Sequence, residues 1–191
     1  VDGKGLVQRD DTYVVIWTTT PWTLPGNTMI AVGEDFDYAV VRVGTERLIF
    51  AKDLVEQVMK KAGTEDSVNV ELGTGSGCVH CAPSYGKEDY LLGLKHNSDI
   101  IVTVDSKGVQ RGEGAGPFKD MYYAKSDKEI IKWLEENNLL LASEVVNHSY
   151  PHCWRCKKPV IFRATSQWFA SVDGFRKESL DAIKSVKWYP A

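Results

Sequence analysis

Short β-branched and aromatic runs, cut by prolines and glycines, dominate the first third of the chain. Tyr13-Val14-Val15-Ile16-Trp17 and Tyr38-Ala39-Val40-Val41-Arg42-Val43 have strand length and strand composition. Gly44-Thr45 turns the second run back into Arg47-Leu48-Ile49-Phe50 and predicts a hairpin. Between the first two runs, Pro21-Trp22-Thr23-Leu24-Pro25-Gly26-Asn27 requires irregular backbone, because its prolines cannot donate to a ladder. Further strands are predicted over Val68–Leu72, Cys78–Ala82, Ile100–Val104, Glu144–His148 and Val160–Arg163.

The period becomes helical in a few places. Over Lys52–Ala62 the residues Leu54, Val55, Val58 and Met59 share one face, and Gly63 supplies a stop. Glu88–His96 is shorter and carries Tyr90, Leu91 and Leu94. Ser126-Asp127-Lys128-Glu129 reads as a capping box, opening a helix through Asn138 that buries Ile130, Ile131, Trp133 and Leu134. A last helix is predicted near Phe175–Lys184. Many short strands with a few interspersed helices predict a β-rich α+β domain, barrel-like in its core. The strand–helix alternation of a doubly wound sheet is absent from the pattern.

Composition narrows the function classes. Hydrophobic residues make up 43% and charged ones 26% of the 191 residues, the balance of a globular protein with a real core. A net charge of −3 excludes a free-standing, strongly basic nucleic-acid binder. No apolar run approaches the roughly 18–20 residues that span a bilayer, so no membrane partner is expected. Four cysteines are too few for a disulfide scaffold, which predicts a reducing, cytoplasmic setting. The chain opens Val1-Asp2-Gly3-Lys4-Gly5, with neither an initiator methionine nor a signal peptide, and its end Trp188-Tyr189-Pro190-Ala191 has no helix stop. The expectation is a piece of a longer protein.

Candidate chemistry gathers at two places. Thr18-Thr19-Thr20 ends at a proline break, where the backbone must leave the sheet and expose hydroxyls and amides in a corner, although threonines are ordinary strand residues. His80 and Asp89 are joined by the Pro83–Gly86 turn, which hands both side chains to one end of a sheet; an aspartate in a first helical turn also simply complements the dipole. Gly73-Thr74-Gly75-Ser76-Gly77 precedes a strand and lacks a Walker lysine, so it reads as a flexible turn. A serine-hydrolase elbow is missing, since Thr74 stands two before Ser76 and Ala82 two before Ser84. A cysteine–histidine pair is disfavoured as well, because Cys81 and His80 face opposite ways on a strand, so the expectation is chemistry without a protein nucleophile.

The cysteines leave two readings open. Cys78-Val79-His80-Cys81 and Cys153-Trp154-Arg155-Cys156 together have the arithmetic of one tetrahedral zinc site, which would make the chain a zinc-stabilised nucleic-acid or protein binding module without catalysis. Alternatively Cys78 and Cys81 are strand residues pointing to opposite faces, and Cys153 with Cys156 forms a zinc half-site completed by cysteines lying before Val1.

Trp17-Thr18-Thr19-Thr20-Pro21-Trp22-Thr23-Leu24-Pro25-Gly26-Asn27 closely resembles the threonine-rich peptide of the editing domain of isoleucyl-tRNA synthetases. Gly75–Pro83 followed by Glu88-Asp89-Tyr90 is similar to that domain's second motif. His148–Arg155 with Arg163-Ala164-Thr165-Ser166-Gln167-Trp168-Phe169 resembles the exit segment returning to the synthetic core. Valyl and leucyl relatives would carry an arginine within the first motif, so Thr20-Pro21-Trp22 favours the bacterial isoleucine form. The resemblance implies a linker over 1–11, an editing domain over 12–147 folded as a distorted β-barrel with peripheral helices, and the exit segment over 148–191. It implies a hydrolase that removes valine from isoleucine tRNA, with valyl-adenylate a second candidate substrate. No cofactor is implied for editing. The implied partners are the acceptor end of valine-charged isoleucine tRNA and the parent's catalytic core, in a monomer. Carried over by motif, Thr18, Thr19, Thr20, Trp22 and Asn27 line the pocket, His80 bounds it, and Asp89 holds the α-ammonium group. Two departures stand out: Ser84-Tyr85-Gly86 replaces a common Gly-His-Gly, and the stretch from Gly63 to Gly73 is short for the family.

Such a task has a physical logic. Valine is isoleucine minus a methylene, and a hydrophobic pocket gains only about 1–3 kcal/mol from that group; isoleucine selection by the isoleucyl-tRNA synthetases that the chain resembles is the usual illustration of the limit. A second pocket that excludes the larger side chain by overlap reverses the problem.

Overall fold

The structure, a computed structural model, describes residues 11–63, 76–147 and 149–189. Five strands lie in two small sheets. β1 (Thr12–Val14) runs parallel to β4 (Glu46–Ala51), and β3 (Tyr38–Val43) pairs antiparallel with β4 on its other side. β2 (Met29–Val32) and β5 (Cys78–Cys81) form an antiparallel pair with Ile30 opposite His80. The predicted hairpin is present: Val43 faces Glu46, and Gly44 takes the left-handed φ of +58° that a tight primed turn demands.

The helices follow. α1 (Val55–Lys61) continues a short 3-10 turn at Lys52–Leu54, α2 (Lys87–His96) follows β5, and α3 (Tyr123–Glu136) and α4 (Arg176–Ser185) complete the set. Leu48, Phe50 and Met59 are buried together between β4 and α1, with Val41, Val43, Val55, Val58 and Leu141 packed around them. The alternation of β3 explains its orientation, since Val41 and Val43 pack inward while Val40 remains exposed. A second cluster gathers Trp22, Ala82, Tyr85, Val104 and Tyr123.

The chain crosses between the sheets at the threonine run. Val15 N–H donates to Ile49 O (2.9 Å) in the first sheet, whereas Trp17 N–H donates to Cys78 O (3.3 Å) in the second. A strand that changes partner this way makes a corner. The α+β class is as expected. The distorted barrel is not reproduced as a closed one: among the described residues the strands form a three-stranded and a two-stranded sheet, with Trp17 bridging to Val79 of the second and Ala51 N–H donating to Ser76 O (2.8 Å).

Several predicted elements differ. Residues 100–104 are not a strand, because side chains replace the ladder: the Tyr85 hydroxyl accepts from Thr103 N–H (2.7 Å) and Val104 N–H (2.9 Å), and Ser84 Oγ donates to Ile101 O (2.6 Å). Residues 160–163 are also irregular: Pro159 precedes them, and pairing stops at the His152–Pro159 bridge and the Val160 N–H bond to Pro151 O (3.1 Å). The Val68–Leu72 strand lies outside the described residues, and 144–147 are irregular. α3 begins three residues earlier than the capping box, because Tyr123 and Ser126 are buried and Ser126 Oγ donates to Tyr123 O (2.7 Å) instead of capping. Trp133, expected inside, is 37% exposed and rests edge-on against Phe118.

Phe50 is fully buried. Phe50→Ala is expected to destabilise the fold by about 3–5 kcal/mol, and Val40→Ala, on the exposed face of β3, by less than about 1 kcal/mol, read from urea unfolding midpoints.

Candidate functional site

The corner where the chain leaves the sheet is built by its own hydroxyls. Thr20 N–H donates to Thr18 Oγ1 (3.1 Å), a local turn bond that threonine offers in place of a ladder. Pro21 then opens a 3-10 turn over Pro21–Gly26, as proline suits a first helical position. Inside that turn Thr23 is buried, and both its N–H (3.0 Å) and its hydroxyl (2.8 Å) donate to Thr20 O.

Thr23 carries the corner to β5. Its Oγ1 lies 2.9 Å from His80 Nε2. Since the hydroxyl proton is already given to Thr20 O, Oγ1 accepts, and Nε2 bears the imidazole proton. The other ring nitrogen meets Asn27. The end of the Asn27 amide that lies 2.7 Å from His80 Nδ1 also faces two carbonyls, Met29 O at 2.9 Å and Cys81 O at 3.2 Å, which can only accept, so that end is assigned as the nitrogen and Nδ1 accepts from it. Both ring nitrogens are thereby engaged, and the imidazole is neutral. Burial holds its pKa below the ordinary value, with the charge of Asp89 opposing that shift.

Asp89 sits in the first turn of α2 and its Oδ2 accepts from Ala82 N–H (2.9 Å), two residues beyond His80. Gly86 makes room for it, because a Cβ there would stand 3.1 Å from the carboxylate. The structure thus links Thr18, Thr20, Asn27 and His80 through hydrogen bonds and sets Asp89 at the same strand end. It does not link Thr19, which is exposed, and it places the Trp22 ring in the core. That ring stands edge-on to Tyr85 (4.9 Å) and Tyr123 (5.2 Å). A cavity of about 300 Å³ lies elsewhere, lined by Asp105, Lys107, Tyr122, Tyr123 and Arg163 among others, without any of the threonines. Thr23 is the residue that sequence reasoning missed; its signal was a hydroxyl three residues after Thr20, the spacing of back-bonding in a tight turn.

The cysteines divide. Cys78 and Cys81 are buried in β5, and burial pushes both thiols up. Cys153 and Cys156 stand on a surface turn closed by Lys157 N–H to Cys153 O and Cys153 N–H to Lys158 O, each 2.8 Å. The amides of Cys156 and Arg155 hold the Cys153 thiol below its usual range, the setting of a metal-binding knuckle. Among the described residues no three ligating side chains cluster, so the four cysteines do not converge on one site.

A histidine whose folded-state pKa is lowered stabilises the fold above its unfolded pKa, and that stability is lost as pH falls. Unfolding free energy is therefore expected to drop as pH descends through the ordinary 6.5 toward the lowered folded-state value. Urea titrations at a series of pH values should show this decline flattened in His80→Gln.

No protein-family model matches the chain. Over its full length it is 45% identical to the isoleucine–tRNA ligase of Caldicellulosiruptor saccharolyticus, in an aligned span of 225 residues that covers 24% of that protein. That span exceeds the chain's 191 residues, so this relative carries residues without a counterpart here. The isoleucine–tRNA ligase of Petrotoga mobilis is 45% identical over 97% of the chain and 24% of its own length. That of Caldanaerobacter subterraneus is 42% identical over 98% of the chain and 23% of its own length. The chain spans about a quarter of the length of these curated relatives, and among its described residues no helix is long and apolar enough to cross a membrane. The chain belongs to the isoleucine–tRNA ligase family, as a segment matching about a quarter of such a protein.

Proposed function

We propose that this segment is the proofreading hydrolase of an isoleucine–tRNA ligase, removing valine misattached to isoleucine tRNA and refusing isoleucine by size. The observation that carries the reading is the continuous hydrogen-bonded run from Thr18 and Thr20 through Thr23 to His80 and Asn27, with a carboxylate beside it. The valyl ester is already activated, so its hydrolysis needs a placed water and donors for the developing oxyanion more than a nucleophile. The hydroxyls of Thr18 and Thr20 hold that water, with Thr19 at the rim. His80 has no unengaged ring nitrogen with which to take a proton, so its part is that of a fixed wall. The ribose hydroxyl next to the scissile ester shuttles the proton. Asp89 spends one oxygen on Ala82 N–H and turns its charge to the substrate's ammonium group, fixing which substituent meets the wall.

The rest of the ligase supplies what this segment lacks. With a net charge of −3, the segment receives only the single-stranded acceptor end, while other parts hold most phosphates. Trp168, Phe169, Trp188 and Tyr189 are between 64% and 102% exposed, an apolar surface that suits burial against the catalytic core. Cys153 and Cys156 provide two thiolates of a structural zinc site, completed by two cysteines outside this chain. The ligase works as a cytoplasmic monomer.

Deacylation of valyl- and isoleucyl-tRNA by the full-length ligase tests the reading. Asp89→Ala should slow valyl-tRNA hydrolysis by roughly ten- to hundredfold, the worth of a charged hydrogen bond. His80→Ala should let isoleucyl-tRNA be hydrolysed. Unchanged valyl turnover in the first variant removes Asp89 from the site, and continued rejection of isoleucine in the second puts the wall elsewhere.

A further inference from the structure

Trp22 sits between two prolines in a turn whose N-cap residue, Thr20, makes no side-chain cap. Its N–H is one of the unpaired donors at the start of that turn. At the spacing of a 3-10 turn its carbonyl would look to residue 25, which is proline and has no N–H. Each group finds a distant side chain instead. Asp127 Oδ1, 105 residues away on α3, accepts from Trp22 N–H at 2.8 Å. Gln110 Nε2 donates to Trp22 O at 2.9 Å. Gln110 is fully buried, and its Oε1 has no hydrogen-bond partner among the described residues, so the side chain is kept there for its donor. Asp127 is half-buried and makes no ion pair among the described residues. Desolvation holds its carboxyl above the usual carboxylate range, partly offset by the Trp22 amide. A carboxylate partly withdrawn from water, without an ion pair among the described residues and aimed at one backbone amide 105 positions away, marks that amide as a group whose position matters.

The geometry points to Asp127 as a positioning residue of the proofreading site: it grips the main chain of Trp22 opposite Gln110 and so fixes where Thr20 and Thr23 stand. The inference rests on the reading of the corner as a hydrolytic site. Trp22 N–H lies one peptide unit from Thr20 O, the carbonyl that takes both bonds from Thr23. Releasing it lets the first turn unwind and moves the hydroxyls that hold the water, while the strands beyond the corner remain paired.

The test compares full-length ligase with its Asp127→Ala and Asp127→Asn variants. Asp127→Ala should lower kcat for valyl-tRNA hydrolysis at least about tenfold, with KM changed less than about threefold, because the loss is of positioning and not of binding. Asp127→Asn should recover most of the rate, since an amide oxygen accepts the same N–H. Hydrogen exchange of the peptide covering residues 18–27 should quicken in Asp127→Ala and return toward wild type in Asp127→Asn. Wild-type kcat in Asp127→Ala, an equal loss in both variants, or unchanged exchange overturns the inference. Should the unmodified ligase leave valyl-tRNA intact, the hydrolytic reading fails, and the exchange comparison still decides whether Asp127 holds the corner.

Discussion

The buried imidazole of His80 is the joint on which the arrangement depends. It belongs to β5, yet its two nitrogens reach the 3-10 turn at Thr23 and the residue that follows that turn, Asn27. Because each nitrogen has a partner of fixed direction, only the neutral ring with its proton on Nε2 satisfies the whole set. A proton on Nδ1 would confront the Asn27 amide with a second donor, and a buried unpaired donor costs about 1–3 kcal/mol. Burial opposes the charged form against the pull of the Asp89 charge, and the Asn27 amide leaves no acceptor for a second ring proton.

In the proposed proofreading role, holding that ring still would serve selectivity. A wall that separates side chains differing by one methylene works only if it does not yield. Packed protein interiors resist small displacements, and a ring bonded at both nitrogens resists rotation as well. Trp22 supports the same corner from behind, its ring between Tyr85 and Tyr123 and its main chain held at both ends. Rigid support behind a small polar site is what a size-based choice requires.

Local pattern made much of this legible. The β3–β4 hairpin, α1, β5 with α2, and α4 all follow from period and turn chemistry, because each is settled by neighbours in the chain. The elements that differ are those settled by distant groups. Residues 100–104 have strand composition but take their hydrogen bonds from Tyr85 and Ser84, and α3 starts early because Tyr123 is pulled under Trp22. β2 is four residues long and follows a glycine-bearing turn, so nothing in its own pattern announces it; its partner β5 does. For the site, His80, Asp89 and the threonines stood out by residue type. Thr23, Gln110 and Asp127 did not, since their meaning lies in contacts across 57, 88 and 105 positions.

The protonation of His80 is the point on which these relations turn, and it can be observed directly. Long-range proton–nitrogen correlation spectra of the chain labelled with ¹⁵N-histidine report the state of each ring nitrogen. One ring, identified by its loss in His80→Gln, should show a protonated Nε2 and a bare Nδ1 at neutral pH, and should keep that pattern as pH falls below the ordinary imidazole value of 6.5. A proton on Nδ1, or a doubly protonated ring at neutral pH, would contradict the account.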